Sequence, residues 1–409
     1  MIAVGPFDAA ALAHAQLTRD AIATRRFPSL FEHKRRRMIG SAHGLLRGST
    51  ALFYDLVDGV LPPLPGRATV GWMVGDMHVE NLGIYRSEDG HTVFDIDDFD
   101  EATHGPLALD LLRATTSMLL AADDLGGEPV TQIRCASALL ASYRERIARD
   151  DDRPDPLAPR FDDAVQRVAA RRQRTLLRER VERVDGHWRY IRHPRRYLEL
   201  PPDLREAAPR LLERYFDALG DRAPEHPART HLEDVAQRVA GTGNLGYLRL
   251  AFVLRRHDRV RLVELKECHA SAVHRARALP ATSEPDALRV VAAANLLPHR
   301  PARRLAAVID ADGGRSFVGR RLTPQQNKFD ADTLQRGHLP VFAKLLGARI
   351  AAAHLRAAPQ RDAVLGWHVD DDAMLDASIA MASVHRAVHL AYARFAPGFD
   401  AERARAGDS

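Results

Sequence analysis

Two stretches patterned for β-structure, residues 68–100 and 235–323, stand apart in a chain whose other segments are patterned for helix, and each carries its own polar motif. The expected class is therefore α+β. With 409 residues the chain exceeds what one simple core usually organises, so two lobes are expected. Apolar residues at helical spacing run through Ala9–Ile22 and Leu45–Leu56, on either side of the basic run His33-Lys34-Arg35-Arg36-Arg37. Residues 107–150 return to helix, 151–230 are rich in Arg, Asp and Pro with further helical segments, and 338–396 hold two long amphipathic helices.

The first β stretch reads as strands Thr69–Val74, Leu82–Tyr85 and His91–Ile96, with a turn at Glu88-Asp89-Gly90. Between them lies Gly75-Asp76-Met77-His78-Val79-Glu80-Asn81, and after them Asp95-Ile96-Asp97-Asp98-Phe99-Asp100-Glu101. Phosphoryl transfer asks for an Asp that orients the acceptor hydroxyl, an Asn a few positions on that holds a metal, and a further Asp that chelates Mg²⁺ against the phosphates. Asp76, Asn81 and Asp98 fill those roles, with His78 in support of Asp76. So dense an acidic cluster repels itself without a cation, which points to metal at Asp98 and Asp100. Spacing to Gly105-Pro106 favours Asp98 as main ligand, whereas distance from Asn81 suits Asp95, and Asp97 stands between them. Asp110, at the start of a helix, is expected to cap or brace the loop.

The second β stretch opens with Gly241-Thr242-Gly243-Asn244-Leu245-Gly246, followed by an alternating strand (Leu248, Leu250, Phe252, Leu254), a turn at His257-Asp258, and the strand Val260–Lys266. A dinucleotide fold would place a helix directly after the glycines. Glycine loop, strand, turn, then a strand ending in lysine is instead the kinase arrangement, in which the backbone of Gly241, Gly243, Asn244 and Gly246 covers the phosphates of ATP and Lys266 reaches them. A second hairpin, Ala306–Ile309 and Ser316–Leu322, and the helix Val341–Leu355 follow. In an ordinary kinase the nucleotide lobe precedes the catalytic loop; here that loop comes first, so a circularly permuted two-lobe kinase-like fold is expected. Permutation needs only that the old ends lie close together at the surface.

The run Gly75-Asp76-x-His78-x-x-Asn81 with Asp98-Phe99-Asp100-Glu101-x-x-x-Gly105-Pro106 resembles the HGDxHxxN and IDFDDA…GP…DL motifs of aminoglycoside- and choline-type kinases. More closely, the chain resembles the bacterial domain of unknown function 2252 family, whose pattern also includes Leu46-Arg47-Gly48, the glycine loop and the pair Lys266-Glu267. The resemblance implies a protein-kinase-like fold and supplies no substrate. It makes Arg47 and Glu267 supporting residues; Arg47 is either a buried structural arginine or a phosphate contact. Val74 stands where small-molecule kinases carry the His of HGD, so the loop must be braced from elsewhere. The helix Pro285–Leu297 has no clear glutamate to pair with Lys266, although Glu284 precedes it. Glu264, two residues before the lysine, shares its strand face.

The domain expectation is a helical lobe with the catalytic and metal loops at 1–150, an Arg-rich helical insert or linker at 151–234, a small β-rich nucleotide lobe at 235–325, and helices completing the first lobe at 326–409. The expected activity is ATP- and Mg²⁺-dependent transfer of a phosphoryl group to a hydroxyl of an unknown small molecule or protein. Alternatives are a nucleotide-binding pseudokinase, a nucleotidyl transferase, and a two-metal phosphoesterase using Asp76, His78, Asp95, Asp97 and His104. Cys135 and Cys268 stand far apart, outside any metal-ligand spacing, which fits a reducing compartment. The first twenty residues lack a basic start followed by an apolar run, and no stretch approaches the roughly 18 apolar residues of a membrane span, so a cytoplasmic protein without membrane partners is expected. The net charge of +5 is spread along the chain and aromatic content is only 6%, which disfavours nucleic acid as a partner.

Overall fold

The computed structural model of the protein describes residues 5–61, 69–222, 230–276, 284–310, 313–328, 336–357 and 361–406. Helices and antiparallel sheets segregate as an α+β class requires. At the centre of the helical part is Ala108–Asp124, in which every residue from Ala108 to Ala122 is buried, the pattern of a helix enclosed on all sides. Pro129–Ala148, Leu339–Arg356 and Asp371–Phe395 pack around it, joined by the N-terminal helices Ala9–Ala23, Ser29–Ile39, Ala42–Gly48 and Thr50–Val60. No described helix is long and apolar enough to cross a membrane.

The other part is a six-stranded antiparallel sheet. Its spatial order is Ala306–Asp310, Arg315–Leu322, Arg259–Cys268, Arg249–Arg256, His231–Arg238 and Tyr197–Leu198. The glycine loop connects His231–Arg238 to Arg249–Arg256, Lys266 lies on the next strand, and the helix Asp286–Leu296 crosses before the last pair. One face buries Val263, Leu265, Leu250 and Phe317 under the helix Pro202–Leu219. The same cluster takes in Phe27 and Leu30, so the N-terminal helices pack on both parts of the molecule.

The described residues of 151–234, expected as an Arg-rich helical insert or linker, pack on both parts of the molecule. Phe161, Val165 and Val168 of Pro159–Ala169 join the helical core, Pro202–Leu219 roofs the sheet, and Val181–Val184 pairs with His187–Tyr190 as a hairpin on the opposite face. Its turn is Asp185-Gly186, both with positive φ (50° and 83°). Asp-Gly between alternating residues is a strong hairpin signal, masked here by the surrounding arginines. A small sheet of Leu82–Arg86 and Thr92–Ile96 takes Asn327–Lys328 as its third strand, and Val70–Met73 pairs with Thr103–Pro106.

Candidate active site

The pairing of Val70–Met73 with Thr103–Pro106 sets Gly75-Asp76 against the 98–102 segment. Gly75 has φ +79°, and a Cβ there would lie 2.1 Å from the carbonyl oxygen of Glu101, so only glycine fits. Asp110, in the first turn of Ala108–Asp124, accepts hydrogen bonds from the amides of Val74 (2.6 Å) and Gly75 (2.8 Å). Behind it His354 Nε2 lies 3.3 Å from Asp110 Oδ2, and the Tyr143 hydroxyl 2.9 Å from His354 Nδ1. The Tyr54 hydroxyl donates to the Gly75 carbonyl. These groups supply the bracing that Val74 does not, and Asp110 is a loop brace.

One turn beyond Asp110, Arg113 is fully buried. Its Nε donates to Asp76 Oδ1 at 2.8 Å, its Nη2 contacts the same oxygen, and Nη2 also reaches the Leu46 carbonyl at 3.0 Å. Asp76 Oδ2 faces His78 Nε2 at 3.8 Å. His78 Nδ1 accepts from the Glu80 amide at 3.1 Å, which assigns the ring proton to Nε2 on the Asp76 side. Arg47 pairs with Glu80 at 2.6 Å. Asn81 splices the two motifs: its Nδ2 donates to the carbonyls of Asp76 (3.0 Å) and Asp98 (3.1 Å), and its Oδ1 accepts from the Asp98 amide (3.0 Å).

Lys266 arrives from the sheet. Its Nζ lies 3.0 Å from Asp98 Oδ1 and is also paired with Asp100, to which Asn244 of the glycine loop donates. Burial, and then the charge of Asp98, push the Asp100 carboxyl up against the opposing pull of Lys266. Burial alone would lower the Lys266 ammonium; Asp100 and Asp98 outweigh it and raise it. Asp286–Leu296 contains no glutamate and presents Arg289 instead. Arg289 donates to the carbonyls of Asp100 (3.1 Å), Ala102 and His269 (2.8 Å), so it holds the acidic segment without touching the lysine.

The glycine loop is fastened to the N-terminal helices. Arg37 donates to the Gly241 carbonyl (2.8 Å) and Lys34 to that of Gly243 (3.3 Å). Gly246, at φ +106°, approaches so closely that a Cβ would meet the Ala23 carbonyl oxygen at 2.2 Å. Glu267 accepts from the Leu248 amide at 2.8 Å and faces His269 at 3.6 Å. A cleft of about 560 Å³ opens here, lined by Asp76, His78, Asp98, Asp100 and the glycine loop, with Arg19, Arg25, Arg26, Lys34 and Arg47 on its walls.

Asp95 and Glu264 stand apart from this constellation. Asp95 is buried and accepts from the amides of His299 (2.9 Å) and Ile96 (3.0 Å). Glu264, on the strand face of Lys266, is fully buried and pairs with Arg238, Arg320 (3.0 Å) and Arg249 (4.0 Å), not with the lysine. The phosphoesterase ligand set does not converge either: His104 is exposed beside Trp72, and the side chain of Asp97 lies against Gly83. Among the described residues no group of three or more His, Cys, Asp or Glu is arranged to hold a metal. Mg²⁺ characteristically takes only one or two carboxylates and completes its shell with phosphate oxygens and water. Asp98 and Asp100 fit that demand, and Lys266 is the cation between them here. Arg113 was legible in part, as a lone arginine in an apolar helical run; Tyr54, His354 and Arg289 carry no local signal.

The model of the family described as "Uncharacterized protein conserved in bacteria (DUF2252)" matches residues 26–396, and the chain belongs to that family. No curated protein and no solved structure matches it.

Proposed function

We propose that the cleft transfers a phosphoryl group from ATP, with Mg²⁺, to a hydroxyl, and that the fold is a circularly permuted relative of the protein kinases. The observation that carries this reading is the meeting of Lys266 with Asp98 and Asp100 on a segment that Asn81 ties to Asp76. A glycine loop between two strands, a lysine on the next strand and a helix after it are the parts of a kinase nucleotide lobe. They follow the catalytic segment in this chain, hence the permutation.

Asp76 Oδ1 is held by Arg113, which leaves Oδ2 toward His78 and the cleft to orient an acceptor hydroxyl and take its proton. Asp98 and Asp100 would hold Mg²⁺, which when bound offsets phosphate charge. Lys266 supplies fixed positive charge at the same point, and the glycine-loop backbone covers it.

Thermal unfolding tests this reading, since a ligand bound to the native state raises the midpoint by mass action. ATP and Mg²⁺ together should raise it in the wild type and not in Lys266→Ala or Asp98→Ala. Asp76→Asn should keep the shift and lose transfer. No shift at millimolar ATP would sink the proposal. A shift without turnover on any hydroxyl would favour the pseudokinase alternative, and adenylylated product would favour nucleotidyl transfer.

A further inference from the structure

Among the described residues, the face of the sheet that carries Lys266 leaves no slot for a nucleobase. Side chains alternate along a strand and registered partners share a face, so Lys266, Glu264 and Leu262 lie with Arg249, Ala251 and Val253 on one neighbouring strand and with Val318, Arg320 and Leu322 on the other. The apolar members are already covered. Leu262, Ala251, Val253 and Leu322 pack in one cluster with Leu176, Val181, Tyr190 and Tyr197 of the chain itself. Tyr190 stacks on Tyr197 at 4.1 Å, its hydroxyl donates to the Phe252 carbonyl at 3.2 Å, and its amide donates to Asp234 at 2.8 Å. Arg192 fastens the same segment by pairing with Asp234 at 2.8 Å.

The strip left beside Lys266 is ionic. Glu264 is enclosed by Arg238, Arg320 and Arg249, and although burial works against its charge, those three guanidinium groups hold its carboxyl well below the usual range. An aromatic base binds in a mostly apolar slot with a few placed polar groups. Inserted here, it would have to part a buried carboxylate from its arginines, which leaves charges uncompensated. The open cleft lies elsewhere: neither Glu264, Arg238, Arg249 and Arg320 nor the 176–197 segment lines it.

We infer that the site reads the triphosphate chain of its donor and not the base, a conclusion that rests on the phosphotransfer reading above. The phosphates meet Lys266, the Asp98–Asp100 pair through Mg²⁺, and the glycine loop, while the base, shut out of the filled sheet face, projects into the wide cleft.

The test is calorimetric titration of the full-length protein, in Mg²⁺, with ATP, GTP, CTP and inorganic tripolyphosphate, repeated with Lys266→Met after its unfolding midpoint has shown that it folds. The four ligands should agree in affinity to within about tenfold, and Lys266→Met should weaken all four alike. A nucleotide that binds more than about tenfold tighter than tripolyphosphate would overturn the inference and leave phosphotransfer standing. So would tripolyphosphate binding that is indifferent to Lys266→Met, because it would then lie at another basic surface. Failure of all four to bind would overturn the phosphotransfer reading and this inference together.

Discussion

Arg113 Nε donates to Asp76 Oδ1 over 2.8 Å from a guanidinium fully enclosed by protein, so the carboxylate that faces the cleft is also the counter-charge of a buried cation. Under the proposed mechanism, function and stability are therefore coupled at one residue. Removing one partner of a buried pair typically costs about 3–5 kcal/mol, because the other charge is left uncompensated. Asp76→Ala is expected to fall in that range, whereas Asp76→Asn, which keeps an acceptor for Arg113, should lose less. Urea unfolding of both variants checks this; an Asp76→Ala midpoint equal to the wild type would contradict the pairing.

Gly75→Ala and Gly241→Ala form a matched comparison, since φ is positive at both (+79° and +77°) but a Cβ meets the Glu101 carbonyl at the first and nothing within 4 Å at the second. The backbone conformation alone costs about 1–2 kcal/mol in Ala. Gly241→Ala should lose only that amount, and Gly75→Ala several kcal/mol more, read as the difference between their unfolding free energies.

Asp110 holds the amides of Val74 and Gly75. Buried donors left unsatisfied cost about 1–3 kcal/mol each, so Asp110→Ala should destabilise by roughly 2–6 kcal/mol. Tyr143→Phe, which removes only the outermost bond of the chain through His354, should cost roughly 1 kcal/mol. Amide hydrogen exchange at Val74 and Gly75 should quicken in the first variant and change little in the second.

Burial lowers the pKa of His385 from 6.5 to about 4, with only a bond to the Met381 carbonyl at 3.1 Å opposing it. A group whose folded pKa is depressed contributes stability that is present above its unfolded pKa and lost as pH falls. Stability should therefore decline between pH 6.5 and 4, by about 3 kcal/mol from this residue. His43, also lowered by burial, adds a loss of the same sign. Glu264, held well below 4.5, adds a further loss only at more acidic pH. Urea unfolding across this range should show a shallower slope in His385→Leu; an unchanged slope would mean that His385 is already exposed to protons in the native state.

Much of the fold could be read locally. The helix expected over Val341–Leu355 is Leu339–Arg356, the strand expected over Val260–Lys266 is Arg259–Cys268, and Leu82–Tyr85 is Leu82–Arg86. Period and turn chemistry act over a few residues, and there the pattern was clear. Asp76, His78, Asp98, Asp100 and the glycine loop line one cleft, and Lys266 pairs with Asp98 and Asp100 at its edge. Asp95 does not join them, because its carboxylate turns to the amides of Ile96 and His299, and Glu264, although on the strand face of Lys266 as expected, is taken up by Arg238, Arg320 and Arg249. Residues 181–190 were obscured because arginine is compatible with both helix and strand.

The sequence by itself determined the α+β class, the two polar motifs and their order along the chain, because each is written within a short window of side-chain period and turn residues. Only the tertiary structure decided that Lys266 answers to Asp98 and Asp100, that Arg113 answers to Asp76, and that Glu264 is enclosed by three arginines. These are contacts of charge between segments far apart along the chain. In an arginine-rich sequence every carboxylate has many potential partners, and only burial, which removes water as the competing partner, selects among them.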